Sequence, residues 1–299
     1  MSILWTQKNT DVFVSPRFER TVVLHVLKNI LKKPNSQVPL LLGVHGPSGE
    51  GKTYQCEYIL RKMGVKRFLI SGGQLIGPIA GQPARLIRTT YIKASDDVRG
   101  GGCSMAAILI NDFDTGLGSG HDSGFTINQQ TMFGELMHLV DYPNQVEGHD
   151  TLRIPIIVTG NDFTKLYEPL VRAGRMTAFE WIPNREERSE IVATIFPELA
   201  KVEVRRLVEE LQTRLSTDIP NVRLPVAFFS HLRSCLLDEF LWKDVGHNGL
   251  GRTVDTILVG NEPDFSSEVT YEYLLEKGLE LGRSNQLFNN HLLYRAQEF

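Results

Sequence analysis

Residues Gly46, Pro47, Ser48, Gly49, Glu50, Gly51, Lys52 and Thr53 form a complete G-x-x-x-x-G-K-T sequence. Each residue type in it suits phosphate: glycines let successive backbone N–H groups wrap around the phosphates, Lys52 brings a positive charge to the terminal ones, and Thr53 offers a hydroxyl to Mg²⁺. The helix expected to start there adds the positive end of its dipole. A glycine-rich turn that binds nothing has no need of Lys-Thr at its exit, so this loop is expected to bind a nucleotide with Mg²⁺.

Three further stretches could complete a phosphoryl-transfer site. Residues 108 to 114 read ILINDFD, an aliphatic strand ending on Asn111, Asp112 and Asp114. These three compete for the metal-holding and water-activating roles. In the common arrangement one carboxylate holds the metal and the next polarises water, whereas here the first position is an amide. A second strand ends in VTGNDF, which puts Asn161 where an amide can position a water or a γ-phosphate oxygen. Arg172 and Arg175 follow in LVRAGRM. An arginine supplied by a neighbouring subunit contributes roughly 10³ to 10⁵ in rate.

The elements that must position these residues are legible as a pattern. Apolar runs rich in β-branched residues recur at PLLLGV (39 to 44), RFLIS (67 to 71), AAILIN (106 to 111), IPIIVTG (154 to 160) and AFEWI (178 to 182). Runs of this kind suit fully buried parallel strands. Segments of helical character lie between them, such as YQCEYILRKMG, with Gly64 where a helix would stop. The alternation predicts a three-layer α/β domain over residues 1–183 with a parallel five-stranded sheet. From residue 184 to 299, apolar residues recur at spacings of three and four, which predicts a smaller α-helical domain. The stretch from residue 246 to 270, rich in Gly, Pro and polar residues, is expected to be a loop with some local structure rather than one helix.

Composition narrows the classes. The 299 residues are 41% hydrophobic and 22% charged with a net charge of −3, ordinary for a globular protein and without electrostatic footing for nucleic acid. No apolar run approaches the ~20 residues that cross a bilayer. Cys56, Cys103 and Cys235 show no metal-ligand spacing and are expected to be buried, reduced thiols. The N-terminal MSILWTQKNTDVFVS has neither a signal-peptide nor a transit-peptide pattern, so a cytoplasmic location is expected.

Loop, acid strand, polar strand end and R-x-G-R in this order resemble an AAA+ ATPase module. The stretches LGVHGPSGEGKTYQCEYILRKMG, SGGQLIGPIAGQPARLIRTTY, ILINDFDTGLG, IPIIVTGNDFTKLYEPLVRAGRM and TYEYLLEKGLELG are similar to the Rubisco activase family. That resemblance covers nearly the whole chain and is closest to the cyanobacterial activase-like proteins. It implies ATP binding by Gly46 to Thr53, Asp112 as the acidic hydrolysis residue, Asn161 as the γ-phosphate sensor and Arg172 and Arg175 as trans-acting fingers. It places Arg233, in FFSHLRSCLLDEF, as a second sensor in the lid. The family's INDLD carries Asn where Asn111 stands, leaving Thr53 and Asp112 for the metal.

A first pore loop would fall on Leu75, Ile76, Gly77, Pro78 and Ile79, and a second on GLGSGHDSG. The implied function is an ATP-driven homo-oligomer, expected to be a hexamer, that pulls on the Rubisco large subunit until an inhibitory sugar phosphate escapes. The alternatives are a remodeller of another protein client, an ATP-dependent scaffold that gathers Rubisco, and, with least support, a small-molecule kinase. Plant members carry an extra N-terminal domain. Some cyanobacterial ones add a small-subunit-like domain after the lid, and such a domain would imply association with the carboxysome.

Overall fold

The computed structural model describes residues 12–31, 37–76, 79–117, 126–218, 223–260 and 264–296, with side chains of the last helix described to residue 284. The chain divides into two compact units, the first spanning residues 14–182 and the second residues 183–299 together with 1–13.

The first unit contains β1 (Leu41–His45), β2 (Lys66–Ser71), β3 (Ala106–Asn111), β4 (Gln145–Val146), β5 (His149–Asp150), β6 (Ile156–Gly160) and β7 (Met176–Glu180). Five of these form one sheet in the order β2-β3-β6-β1-β7, and every pairing in it is parallel. The strand pattern explains the order. β1, β3 and β6 are near-continuous apolar runs and are buried along almost their whole length. β2 and β7 expose several positions, as edge strands do. Each fully buried Val, Leu or Ile contributes about 1.5–3 kcal/mol, so the central strands cannot be moved to the edge without loss. β4 and β5 form a separate hairpin turned by Glu147 and Gly148, both at positive φ, a feature without a counterpart in the sequence reading.

Around the sheet lie α1 (Pro16–Ile30), α2 (Lys52–Lys62), α3 (Gln82–Arg99), α4 (Ile127–Asp141) and the single turn α5 (Glu168–Val171). Because all five strands run the same way, His45, Asn111 and Gly160 finish at one edge of the sheet. Ligands of open α/β sheets bind beyond that carboxyl edge.

The second unit is helical: α6 (Arg185–Ile195), α7 (Lys201–Asp218), α8 (Val226–Asn248), α9 (Leu250–Leu258) and α10 (Tyr271–Ala296). α6 opens with a capping box in which Asn184 Oδ1 accepts from Glu187 N and Glu187 Oε2 accepts from Asn184 N. Phe196, Leu207, Leu211, Phe229 and Leu232 are fully buried in its core. The expected loop from residue 246 is corrected by α9. Glycine and proline sit at the ends of that stretch, and between them Leu250, Val254 and Ile257 keep helical spacing, while Thr253 Oγ1 donates to Asp244 Oδ2 at 2.7 Å. Of the thiols, Cys56 is buried and its pKa is pushed up by burial, whereas Cys103 and Cys235 are only half-buried. No helix among the described residues is long and apolar enough to cross a membrane.

Candidate active site at the carboxyl edge of the sheet

The phosphate loop leaves β1 at His45 and enters α2 at Lys52. Gly46 has φ 139°, and a Cβ built there would lie 2.3 Å from the carbonyl oxygen of Trp181, so only glycine fits. The loop is held from the side by Trp181, whose indole Nε1 donates to the carbonyl of Glu50 at 2.7 Å and whose backbone N donates to His45 O at 2.7 Å. Trp181 is itself fully buried against Phe18 and lies under the guanidinium of Arg17 at 4.7 Å. Sequence reasoning missed this support, whose only sign was an aromatic residue near the end of the fifth apolar run.

Lys52 is buried, and its Nζ donates to Gly46 O at 2.8 Å, Pro47 O at 2.9 Å and Asn161 Oδ1 at 2.9 Å. Burial lowers its pKa, opposed by the negative charges of Asp114, Asp112 and Glu50. The ammonium therefore bridges the phosphate loop and the end of β6, with acids near enough to sustain its charge. Thr53 Oγ1 pairs with Thr159 Oγ1 at 3.1 Å, and Thr159 Oγ1 also accepts from Asp112 N at 3.3 Å. Loop, acid strand and sensor strand are thus joined through one threonine that the sequence did not single out.

At the end of β3, Asp112 stands at φ 51°, a left-handed conformation that Asp and Asn tolerate better than other side chains. Its carbonyl accepts from Thr115 N and Oγ1, closing the turn. Asp112 is exposed, whereas Asn111 Oδ1 and Asp114 Oδ1 are buried with no hydrogen-bond partner among the described residues. A left-handed glycine loop, a buried ammonium and unpartnered side-chain oxygens fit a nucleotide phosphate with a divalent metal. Among the described residues no group of three His, Cys, Asp or Glu could hold a metal alone. The Thr53 hydroxyl and the Asp112 carboxylate are the candidate donors, which phosphate and water would have to complete.

The two finger candidates differ. Arg175 is tied down, donating to Pro169 O and to Asp141 Oδ2, each at 3.0 Å. Arg172 is exposed, and no ion pair or side-chain hydrogen bond holds it among the described residues. Arg233 lies in the helical unit, where it donates to Glu198 Oε1 at 2.5 Å beside the Phe196 ring. Of the first pore segment, Leu75 is buried in the core and anchors the stretch, while Ile76 and Ile79 are 61% and 66% exposed. Gly77 and Pro78 lie outside the described residues, as does most of the second segment. The two segments meet at their anchors, where Gly81 N donates to Asn128 Oδ1 at 3.0 Å.

Residues 42–184 match the ATPase family associated with various cellular activities (AAA). The chain is 39% identical over 300 residues to the ribulose bisphosphate carboxylase/oxygenase activase of Nostoc sp., a match that covers 94% of this chain and 68% of the relative. It is 41% identical over 281 residues to the activase of Anabaena sp., covering 88% of this chain and 64% of that one. The chain belongs to the Rubisco activase family. The chloroplastic activase 1 of Nicotiana tabacum is 37% identical over 276 residues, covering 89% of this chain and 60% of the relative. The Rubisco activase module here is an ATPase module, and nucleotide binding with a divalent metal belongs to that family. This chain spans between 60% and 68% of the length of these three relatives.

Proposed function

We propose that this protein is an ATP-driven remodelling chaperone that reactivates Rubisco by releasing tightly bound inhibitory sugar phosphates. The single observation that carries this reading is the joint placement of Lys52, Asn161 and the INDFD turn at one sheet edge in a chain 39% identical to a Rubisco activase. Gly46 to Thr53 bind ATP, with Lys52 exchanging its carbonyl partners for phosphate oxygens. Thr53 and Asp112, with phosphate and water, would hold Mg²⁺, which would supply charge neutralisation on the phosphates. Asp112 takes the proton of the attacking water, and Asn161 senses the γ-phosphate.

Arg172, free of the ties that hold Arg175, is the finger that reaches a neighbouring subunit's nucleotide; Arg175 shapes the turn that presents it. Such a finger requires a homo-oligomer, and a closed ring of six suits it. Ile76 and Ile79 supply apolar grip on a client peptide of the Rubisco large subunit. Domain limits at residues 1–183 and 184–299, with Arg233 as a sensor in the lid, complete the reading.

The test is recovery of carboxylation by sugar-phosphate-inhibited Rubisco. ATP-dependent recovery with the wild-type protein and none with Lys52→Ala is the expected result. Clustering of Rubisco without recovery would replace the reading with a scaffold, and ATP hydrolysis without any effect on Rubisco would point to another client.

A further inference from the structure

The second acid of the INDFD turn is the one that the phosphate chemistry leaves without a task. Asp114 Oδ2 accepts two backbone hydrogen bonds from the end of the neighbouring sensor strand, from Asn161 N at 2.7 Å and Asp162 N at 3.0 Å. Its second oxygen is buried and has no partner among the described residues. The approach depends on Gly160: a Cβ there would lie 2.9 Å from Asp114 Oδ1 and 2.5 Å from the Phe163 ring. The same ring closes over Gly43 of the phosphate-loop strand, where a Cβ would meet it at 2.5 Å, and stands beside His45 with centroids 5.2 Å apart. Asp162 Oδ1 in turn accepts from Thr164 N and Oγ1, so the chain after β6 is fixed on both sides of Asn161.

We propose that Asp114 is a positioning residue for hydrolysis, a carboxylate clamp that holds the backbone of Asn161 so that its side-chain amide stays in register with Lys52. Charge-assisted hydrogen bonds to two consecutive N–H groups are about twice as strong as neutral ones. They fix both the position and the orientation of a residue whose Oδ1 is 2.9 Å from the lysine ammonium. Asp114 thus acts through Asn161, and the division of labour within INDFD follows: Asp112 faces the reaction, Asp114 faces the protein.

This inference rests on the ATPase reading above, and its test separates the two. Asp114→Ala is expected to lower ATP turnover about 10- to 100-fold, the scale of an ångström of misplacement at a reacting centre, with nucleotide Kd within about threefold of wild type. Asp114→Asn, which keeps an acceptor oxygen, should fall between. Gly160→Ala, which pushes on the same clamp from the other strand, should resemble Asp114→Ala. In the nucleotide-free protein the amide protons of Asn161 and Asp162 should exchange roughly tenfold faster in Asp114→Ala, a local opening. In an Asn161→Ala background, single-turnover hydrolysis should fall less than about twofold further on adding Asp114→Ala.

Turnover within twofold of wild type for Asp114→Ala, unchanged amide exchange, or a loss of nucleotide affinity matching the loss of turnover would each overturn the clamp. A wild-type protein without ATP hydrolysis would overturn the ATPase reading itself.

Discussion

The two edges of the central sheet use polar residues in opposite ways. At the amino edge most of them are closed upon one another, although the buried His25 Nε2 has no partner among the described residues. Asn29 Nδ2 donates to His25 O and Pro39 O, Arg153 donates to Asn29 Oδ1 at 2.7 Å and to Val38 O, and the buried Tyr91 hydroxyl donates to Pro143 O while accepting from Ile154 N. At the carboxyl edge the network is left open: Asn111 and Asp114 each keep a buried oxygen without a partner among the described residues, Asp112 is exposed in a left-handed turn, and Lys52 leans on carbonyls that a phosphate can replace. The amino edge therefore serves stability and the carboxyl edge serves reaction. Substitutions at the two edges should move different observables.

The largest separation is expected from Arg172→Ala. Nucleotide binding should persist while turnover of the assembled protein falls about 10³-fold or more, against near-normal turnover for a true surface arginine. Next, Asp112→Asn should bind ATP and lose roughly 10²- to 10⁴-fold in hydrolysis; the amide tolerates the left-handed turn, so calorimetry should show an unchanged melting temperature. Normal hydrolysis by either variant would erase the contrast between the edges.

The amino edge should answer to pH instead. Burial, together with the nearby charges of Arg153 and Lys28, lowers the His25 pKa from 6.5 to about 4. Folding thus favours the neutral imidazole, so the stability it contributes is complete above about pH 6.5 and declines as pH falls toward 4, by up to ~3 kcal/mol. Urea unfolding at pH 7 and pH 5 should show the drop, and His25→Leu should flatten it without touching turnover at pH 7. Smallest of all, Asn111→Asp should retain hydrolysis within about tenfold, since it restores the carboxylate of the common arrangement; steady-state kinetics would reveal a larger loss.

This contrast also explains what could be read from the chain alone. The carboxyl edge is encoded in contiguous words, GPSGEGKT and INDFD, because a turn between a strand and a helix must carry its chemistry in consecutive residues. Likewise the central strands β1, β3 and β6 were legible because burial on both faces demands unbroken apolar runs, and the edge strands β2 and β7 from shorter apolar runs, with ends displaced by at most two residues. The amino edge draws His25, Asn29, Tyr91 and Arg153 from three separate segments, and no local pattern announces such a meeting. The tie between Thr159 and both Thr53 and Asp112, the clamp by Asp114 and the Trp181 support were hidden for the same reason. α9 was read as a loop because its flanking glycines outweighed three apolar residues at helical spacing.

Trp181 has one more consequence. Its indole is buried with the N–H fixed to the carbonyl of Glu50, two residues before Lys52. It is therefore an intrinsic optical probe whose emission and lifetime depend on the shape of the phosphate loop. Trp242, 77% exposed on α8, emits from water at longer wavelength and can be replaced by Phe. With the signal of Trp5 subtracted in the same way, occupancy of the loop becomes observable in unlabelled protein on the time scale of mixing.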